Sequence, residues 1–405
     1  MSNIDLHAAK RTKNDEFYTQ YEDIQKEINA YLEYNPDVFR GKTILLPCDD
    51  PEWSNFTRFF AQNFERFGLK KLISTSYACE SKGDCDTYCP TLFETESPKY
   101  DKNKTQTHGK IFTLTHDTNK NGVIDIDDLE WTYLDGDGDF RSDEIKKLRD
   151  EADIIITNPP FSLFREFLAW IMEANKKFII IGNKNSAGCK EVFPLIKDNK
   201  MWIGTMPMGF DILFNVPEHV AMELIKTAKS GSKYRIINNI VYARASGCWF
   251  TNIDHGRRHR PLQLMTMQEN IRHSKHKEIR GQGYQKYDNY DAIDVPYSDA
   301  IPSDYDDVMG VPITFLDKYC PEQFEILGST QRGCHDAVPD TRKYNDYWEM
   351  KQNGEKTGSS GNKTNENANV LRNDGKNNYF INSDGRCVQS LYTRIFIRKK
   401  KGGAQ

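Results

Sequence analysis

The sequence predicts an α/β protein in which helices cover a mostly parallel β-sheet. Two observations support this prediction. Short apolar runs bounded by turn residues recur along the first half of the chain, and stretches with apolar residues at helical spacing separate them. Sheets of this kind bind ligands outside the carboxyl ends of their strands. The unusual polar residues that follow these apolar runs are therefore the first candidates for a functional site.

Five apolar runs are predicted to be strands, because each is short, rich in Ile, Leu or Phe and bounded by turn residues. They lie at 43–46, 72–73, 154–157, 178–181 and 394–398. Helices are predicted where apolar residues recur three and four positions apart. These stretches are 21–34, 53–67 and 164–171, the last with Ser162 as its N-cap.

The length of 405 residues accommodates two domains, and we place them at 1–253 and 254–405. A stretch rich in Asn, Gly, Lys and Ser, at about 351–378, is expected to form a flexible surface loop. No apolar run approaches the roughly 20 residues that cross a bilayer, so no membrane partner is expected. Nine cysteines without a repeating framework favour reduced thiols and a cytoplasmic location.

The most informative motif is D-I-I-I-T-N-P-P-F at 153–161, where a buried strand ends in Asn158, Pro159, Pro160 and Phe161. Neither proline has an N–H group, so the turn presents acceptors rather than donors. The side-chain oxygen of Asn158 and the carbonyl of Pro159 suit an exocyclic amino group. Phe161 is suited to stack on the flat ring that bears this group. The motif therefore predicts catalysis on a planar amine.

This tetrapeptide resembles the catalytic motif of amino-methyltransferases that use S-adenosylmethionine (AdoMet). Three other segments resemble cofactor-binding parts of these enzymes. They are an N-terminal segment that covers the cofactor, the turn after the first strand, and an Asp-Phe pair whose acid accepts from the adenine amino group of AdoMet. The resemblance implies that the following residues bind AdoMet: Asn14, Phe17, Tyr18, Thr19, Pro47, Cys48, Asp49, Asp50, Asp139 and Phe140. The turn after the first strand lacks the usual glycines of the family.

The strings N-D-E-F-Y-T, C-D-D-P-E-W-S-N-F, G-D-G-D-F-R-S and N-P-P-F-S-L-F-R-E resemble the EcoRI-type adenine-specific DNA methyltransferase family over most of 10–330. The resemblance implies a Rossmann-like AdoMet-dependent methyltransferase sheet with a C-terminal target-recognition region. It also implies methyl transfer to N6 of adenine in double-stranded DNA. A restriction–modification role with a cognate restriction endonuclease and a solitary modification role both stay open.

Methyl transfer inside a duplex is sterically blocked, so the target adenine is expected to flip into the pocket. Phe161 would stack on the flipped base. Trp249 and Phe250 are either the opposite wall of the base pocket or ordinary core residues of a strand. Both readings stay open at this point.

A basic segment at 255–286 is expected to contact the duplex, because it carries eight Lys and Arg against two Glu in a chain of net charge −4. The residues assigned to DNA binding are Arg257, Arg258, Arg260, Lys275 and Lys277. The alternative is an ordinary solvated charged surface. Which side chains contact base edges does not follow from the sequence.

Two segments resemble metal-binding motifs. Residues 117–128 match the spacing of an EF-hand loop, but a strand-like run precedes them and an acidic hairpin is the alternative. Cys79, Cys85, Cys89 and His108 do not have the spacing of common zinc fingers. No metal ligand is assigned, since the expected methyl transfer needs no metal.

Three alternative functions are weighed against the adenine assignment. Methyltransferases that act on a protein glutamine amide use a similar motif, but they usually carry a glycine-rich first turn and lack a long C-terminal region. Enzymes that act on N4 of cytosine typically have Ser or Asp in place of Asn158. A DNA-binding protein with a relic pocket is disfavoured because the motif is intact.

Overall fold

The structure, a computed structural model, describes residues 18–49, 54–78, 92–216, 218–330 and 341–400. The chain forms two compact units. The first contains the described residues up to Lys184 together with Ile203–Gly256, and the second contains Asn185–Trp202 and the described residues from Arg257 onward. The sequence pattern did not anticipate that 185–202 groups with the second unit.

Ten α-helical segments occur in the described ranges, and most are short. In chain order they are α1 (Tyr21–Tyr34), α2 (Asn55–Gln62), α3 (Phe64–Phe67), α4 (Leu92–Thr95), α5 (Lys104–Thr107), α6 (Asp143–Glu151), α7 (Phe164–Glu173), α8 (Phe193–Lys197), α9 (Glu218–Thr227) and α10 (Met267–His273). None of these helices has both the length and the apolar character needed to cross a bilayer.

Twelve strands precede the basic segment. They are β1 (Tyr18–Thr19), β2 (Thr43–Leu46), β3 (Lys71–Ser76), β4 (Lys110–Leu114), β5 (Glu130–Tyr133), β6 (Ile154–Thr157), β7 (Lys177–Asn183), β8 (Trp202–Ile203), β9 (Ile212–Asn215), β10 (Tyr234–Ile237), β11 (Ile240–Ala245) and β12 (Gly247–Thr251).

The first unit is built on an eight-stranded mixed sheet with the strand order β5-β4-β3-β2-β6-β7-β12-β8. Its middle strands, β3, β2, β6 and β7, are parallel, whereas β4, β5 and β12 pair antiparallel. The α/β class and the parallel middle of the sheet are therefore confirmed. Strands β2 and β6 are buried along their whole length, which explains their unbroken apolar sequence.

The order of the strands reverses at β2. The chain passes from β2 to β3 on one side, and it later places β6 and then β7 on the other side. The carboxyl ends of β2 and β6 consequently meet at a topological switch point, where open α/β sheets bind their ligands. The segments after these two strands are the turn at 47–49 and the Asn-Pro-Pro-Phe motif.

A second, antiparallel sheet in the first unit has the order β1-β9-β11-β10. One register row runs across it through Thr19, Phe214, Ala243 and Tyr234, and all four side chains are buried. Phe214, Ala243 and Tyr234 of this row belong to the same apolar core as the phenylalanines of α2 and α3. The small sheet is thereby packed against helices α2 and α3.

The second unit contains two sheets, ordered β13-β14-β21-β15 and β17-β16-β19-β20-β18. Their strands are β13 (Ile293–Asp294), β14 (Met309–Pro312), β15 (Phe324–Ser329), β16 (Trp348–Met350), β17 (Lys356–Ser360), β18 (Asn369–Val370), β19 (Tyr379–Ile381), β20 (Cys387–Ser390) and β21 (Arg394–Lys399). The predicted last strand is confirmed, and it lies in the interior of the first of these sheets.

Three local predictions need correction. The helix predicted at 53–67 is interrupted at Asn63, whose amide side chain donates to the carbonyl of Phe59 and competes with helix continuation. The N-cap of α7 is Leu163 rather than Ser162, because a 3₁₀ turn at Phe161–Leu163 precedes the helix. The segment 351–378 contains β17 and β18 instead of an irregular loop, since cross-strand pairing satisfies its backbone.

Candidate active site

Asp49 is the centre of a buried hydrogen-bond cluster at the switch point. Its Oδ1 accepts a hydrogen bond from the hydroxyl of Ser54 and its Oδ2 accepts one from the hydroxyl of Thr157, both at 2.7 Å. The hydroxyl of Ser74 donates to the main-chain carbonyl of Asp49 at 2.7 Å. The end of β6 and the start of α2 are therefore fixed on the carboxylate of Asp49, and β3 is fixed on its main-chain carbonyl. Asp49 itself is only 7% exposed.

The Asn-Pro-Pro-Phe motif follows Thr157 directly and forms a bend before α7. Asn158 is half-buried and Pro159 is buried, while the carbonyl of Pro160 accepts from the amide of Leu163 at 3.0 Å. The ring of Phe161 is half-buried and lies edge-to-face against Phe214 of β9, with centroids 6.4 Å apart. The motif is thus held between the main sheet and the small antiparallel sheet.

Thr19 lies beside this cluster. Its carbonyl accepts from the side-chain amide of Asn55, the first residue of α2, at 2.8 Å. Its own hydroxyl is buried and has no hydrogen-bond partner among the residues that the structure describes. Because a buried hydroxyl without a partner is costly, this atom is suited to a polar ligand group.

The segment that contains Asp139 packs beside the end of β3, where the amide of Ala78 donates to the carbonyl of Asp137 at 2.8 Å. Gly138 has a φ of 86°, and a Cβ there would come within 2.3 Å of the carbonyl oxygen of Ser76, so only glycine permits this approach. Burial raises the pKa of the Tyr77 hydroxyl, and the nearby Cys48 and Asp139 raise it further. The amide of Phe140 donates to this hydroxyl at 3.3 Å, so Tyr77 contacts the backbone of the Asp139-Phe140 pair.

The carboxylate of Asp139 is engaged by Arg141. The guanidinium donates to both carboxylate oxygens, with the shortest distance 2.6 Å, and the amide of Arg141 donates to Oδ1 at 2.9 Å. This pairing raises the pKa of Arg141. The sequence reasoning missed Arg141, although it is the second residue after Asp139 within a quoted motif.

Three aromatic residues assigned to ligand contacts are buried in the core. Phe140 is fully buried, with its ring edge-to-face on Phe167 and Trp170. Trp249 and Phe250 are both 0% exposed in β12, where the indole N–H points at the sulfur of Met206 and Phe250 packs on Phe164. Of the two roles considered for Trp249 and Phe250, the structure favours core packing.

Some assigned residues lie outside what the structure describes. Asn14, Phe17 and Asp50 fall in undescribed stretches, and so do Cys79, Cys85 and Cys89. For Tyr18, only the backbone pairing with Asn215 is defined. Cys48, beside Asp49, is half-buried, and Pro47 is buried.

The loop at 117–128 connects β4 and β5, which pair antiparallel, so the acidic-hairpin alternative describes its setting better than an EF-hand. The Asp128 carboxylate accepts from the amides of Thr118, Asn119 and Asp125. Within the described ranges, no group of three or more His, Cys, Asp and Glu side chains is arranged to hold a metal.

The basic segment divides into tethered and unpaired cations. Arg258 lies 3.8 Å above the ring of Trp202 and donates to Asn199 at 2.7 Å, while Arg257 faces the buried carboxylate of Asp317. By contrast, Arg260 and Lys277 are exposed and form no ion pair within the described part of the chain.

Lys275 is the fifth assigned cation, and its ammonium lies 2.7 Å from the carboxylate of Asp299. The ring of His276 also bonds this carboxylate, at 2.8 Å. Burial raises the pKa of Asp299, but the hydrogen bonds from Lys275 and His276 outweigh it and the pKa is lowered overall. His255, at the start of the basic segment, is buried and bonds the carbonyl of Ile203 at 3.1 Å.

The switch point, the Asn-Pro-Pro-Phe bend and the buried Asp49 cluster together define an amino-methyltransferase. The comparisons agree with this class. The family described as "Adenine-specific methyltransferase EcoRI" matches residues 5–400. The chain belongs to this family, and the enzyme class predicted from the sequence is confirmed.

Three curated relatives are Type II methyltransferases. The chain is 41% identical to M.EcoRI of Escherichia coli over 80% of its own length and 88% of the relative. It is 31% identical to M.MpnI of Mycoplasma pneumoniae, with 84% and 90% covered, and 32% identical to M.MgeORF184P of Mycoplasma genitalium, with 86% and 92% covered. No solved structure matches the chain.

Proposed function

We propose that this protein transfers a methyl group from AdoMet to N6 of adenine within a specific sequence of double-stranded DNA. The observation that supports this most directly is the position of Asn158-Pro159. These residues follow the strand that Thr157 ties to the Asp49 cluster at the switch point. The family, whose description specifies adenine, argues against the glutamine-amide and N4-cytosine alternatives.

The two acceptors of the bend have a defined chemical task. When the adenine amino group donates its hydrogens to the Asn158 side-chain oxygen and the Pro159 carbonyl, its nitrogen lone pair is no longer drawn fully into the ring. The nitrogen becomes a better nucleophile and its lone pair points away from the acceptors. Both acceptors are uncharged carbonyl oxygens with a partial negative charge. They accept hydrogen bonds from the amine before transfer, and they stabilise the positive charge that develops on its nitrogen during transfer.

The surrounding residues fit AdoMet. The cofactor supplies an electrophilic methyl group on a sulfonium. We propose that the Asp49 cluster faces its ammonium end, because a carboxylate and an ammonium group form a strong charge-assisted hydrogen bond. The unsatisfied Thr19 hydroxyl offers a further polar contact. Asp139, oriented by Arg141, accepts from the adenine amino group of the cofactor.

The target base has to leave the duplex before it reaches this bend. Extruding it costs a few kcal/mol of stacking and pairing. The half-buried ring of Phe161 offsets part of this cost, since stacking on an aromatic ring contributes about 1–3 kcal/mol per base. The contact with Phe214 keeps the ring of Phe161 in place.

We propose that the first unit is the Rossmann-like catalytic domain and that the second unit is the target-recognition region. Arg260 and Lys277 are its best candidates for phosphate contacts, because no acidic partner among the described residues neutralises them. The Type II names of the relatives support a modification role beside a cognate restriction endonuclease.

The test is methylation of unmethylated genomic DNA by the purified protein with AdoMet, followed by digestion and mass spectrometry of the nucleosides. N6-methyladenine is expected with the native protein and is expected to be lost with Asn158→Ala. Calorimetry should show that this variant still binds AdoMet. Absence of any methylated base with folded, AdoMet-binding protein would refute the proposal, and loss of AdoMet binding in the variant would refute the role of Asn158.

A further inference from the structure

The hairpin formed by β10 and β11 projects an apolar tip into solvent. The side chains of Ile237 and Ile240, which pair directly across the turn, are 43% and 54% exposed, and Ile236 is 53% exposed. Exposed isoleucines that cluster at one point are unusual on a soluble surface and often mark a contact site. The methyl-transfer mechanism above does not use this hairpin.

The tip has a preformed shape. Asn238 and Asn239 connect the strands with φ values of 50° and 63°, which is the conformation of a tight two-residue turn with both central residues left-handed. Both asparagines are exposed and present amide groups, which can donate to and accept from base edges. Two apolar side chains therefore flank two amides on a rigid point.

The surface behind the tip is strongly basic. Between 229 and 245 the sequence has Lys229, Lys233, Arg235 and Arg244, and it has no Asp or Glu. Arg244 is tied to Asp211 by an ion pair. The other three are exposed and have no ion pair with any residue that the structure describes. A basic surface behind an apolar point is complementary to a duplex, whose phosphates flank apolar bases.

Strand alternation places Arg235 on the same face as Ile237 and Ile240. The opposite face holds Tyr234 and Ala243, which are buried. One face thus anchors the hairpin in the core, and the other presents a cation next to the apolar pair.

The hairpin is also joined to the catalytic bend. Tyr234 and Ala243 lie in the register row that contains Phe214, and Phe214 contacts Phe161. The tip pair lies three residues further along the strands, so it extends roughly 10 Å beyond this row at about 3.3 Å per residue. The exposed tip and the proposed base-stacking residue Phe161 are therefore connected through one small sheet.

We propose that this hairpin inserts its tip into the duplex next to the target adenine, with Lys229, Lys233 and Arg235 on the flanking phosphates. The inference rests on the proposed DNA substrate and deepens it. The isoleucines fill the space beside the extruded base, and the cations position the backbone. A second copy of the chain, with its net charge of −4, offers no surface as regularly anionic as the duplex backbone to three exposed cations that form no ion pair within the described residues.

The first experiment separates the two parts of the hairpin. Binding of duplex genomic fragments, with S-adenosylhomocysteine present, is measured against salt concentration for the native protein and for Lys229→Ala/Lys233→Ala/Arg235→Ala. The magnitude of the negative slope of log affinity against log salt is expected to decrease by about 2 to 3, since each phosphate contact contributes about 0.9. An unchanged slope overturns the assignment of the cations.

The second experiment uses Ile237→Ser/Ile240→Ser, with Val123→Ser as a matched exposed control in the same unit. Single-turnover methylation of duplex DNA is expected to fall about tenfold in the tip variant, because the cost of extruding the base is no longer offset. After the target is mapped by sequencing, a duplex with an abasic site opposite the adenine is expected to restore most of the rate. Both variants should bind AdoMet like the native protein.

Equal rates for the tip variant and the control on intact duplex overturn the wedge. A change of oligomeric state in light scattering, with DNA binding and methylation unchanged, also overturns it and assigns the tip to contact between copies. If the native protein makes no N6-methyladenine, the proposed function fails, whereas the salt slope of the triple variant still decides whether the hairpin binds duplex DNA.

Discussion

The Thr157 hydroxyl donates to Oδ2 of Asp49 at 2.7 Å, and this contact joins the last residue of β6 to the turn after β2. Both residues are buried. The Asn-Pro-Pro-Phe bend begins at the next residue, Asn158, so the position of the proposed hydrogen-bond acceptor for the target amino group depends on the same contact that fixes the turn after β2.

Replacing Thr157 with Val is expected to affect stability and cofactor affinity together. The substitution keeps the side-chain volume but leaves one buried oxygen of Asp49 without its donor, which costs about 1–3 kcal/mol of unfolding free energy. AdoMet affinity should fall because Asp49 then turns to another donor. Urea unfolding and calorimetry measure the two effects.

Thr251→Val is the matched control, since the Thr251 hydroxyl is also buried in the main sheet and donates to the carbonyl of Phe178 at 2.8 Å. This variant should lose comparable stability and retain AdoMet affinity. Equal AdoMet affinity in both variants would separate Thr157 from the cofactor site.

Asp139 and Arg141 are expected to differ in their effects on cofactor binding. Asp139→Ala removes the proposed acceptor for the adenine amino group and should weaken AdoMet binding about tenfold or more, as expected for a charge-assisted hydrogen bond. Arg141→Met should weaken it only a few-fold, because the Arg141 amide still donates to Asp139 Oδ1. Calorimetry measures both affinities. If Arg141→Met loses more AdoMet affinity than Asp139→Ala, the guanidinium itself contacts the cofactor.

Cations of the basic segment are expected to fall into two groups when DNA binding is measured against salt. Arg260→Ala and Lys277→Ala should each lower the slope of log affinity against log salt by about 0.9, the value for one phosphate contact. Arg257→Ala and Arg258→Ala should change this slope less, since their guanidiniums are engaged by Asp317 and by Trp202 and Asn199. Equal slopes in all four variants would show that these contacts break on DNA binding.

The sequence predicted the four parallel strands in the middle of the main sheet and helices α1 and α7, because buried parallel strands and their helices leave strong periodic signals. Strands β2 and β6 appear as unbroken apolar runs, and α1 was predicted with its observed bounds. The polar contacts of Asp49 could not be predicted, since Ser54, Ser74 and Thr157 meet only through tertiary packing.

Burial explains the main failures at the site. An aromatic residue at a strand end or in a motif has the same sequence signal whether it faces a ligand or the core, and Phe140 and Trp249, which were assigned to ligand contacts, are buried in the core. The exposure of the hairpin tip was not predicted from the sequence, for the opposite reason. Ile236, Ile237 and Ile240 look like core residues in the sequence and are exposed in the structure.

The buried ion pair of Lys110 and Glu94 leads to the last prediction. The Lys110 ammonium lies 2.6 Å from Glu94 Oε2, their side chains are 5% and 0% exposed, and Tyr133 also donates to Glu94. Lys110→Met leaves a buried carboxylate without its cation, so urea unfolding should show a loss of about 3–5 kcal/mol. Lys110→Met/Glu94→Leu removes both charges and should recover much of that loss.

Lys71→Met is the control for this pair, because Lys71 also lies in the main sheet and bonds Glu151 at 2.8 Å, with the side chains 26% and 46% exposed. Solvent screens such a pair, so its loss should stay below about 1 kcal/mol. If Lys110→Met costs no more than Lys71→Met, the Glu94 carboxyl takes up a proton when its partner is removed. In that case the loss of stability in Lys110→Met should grow as the pH rises, because an acid whose pKa is raised in the fold stabilises only at low pH.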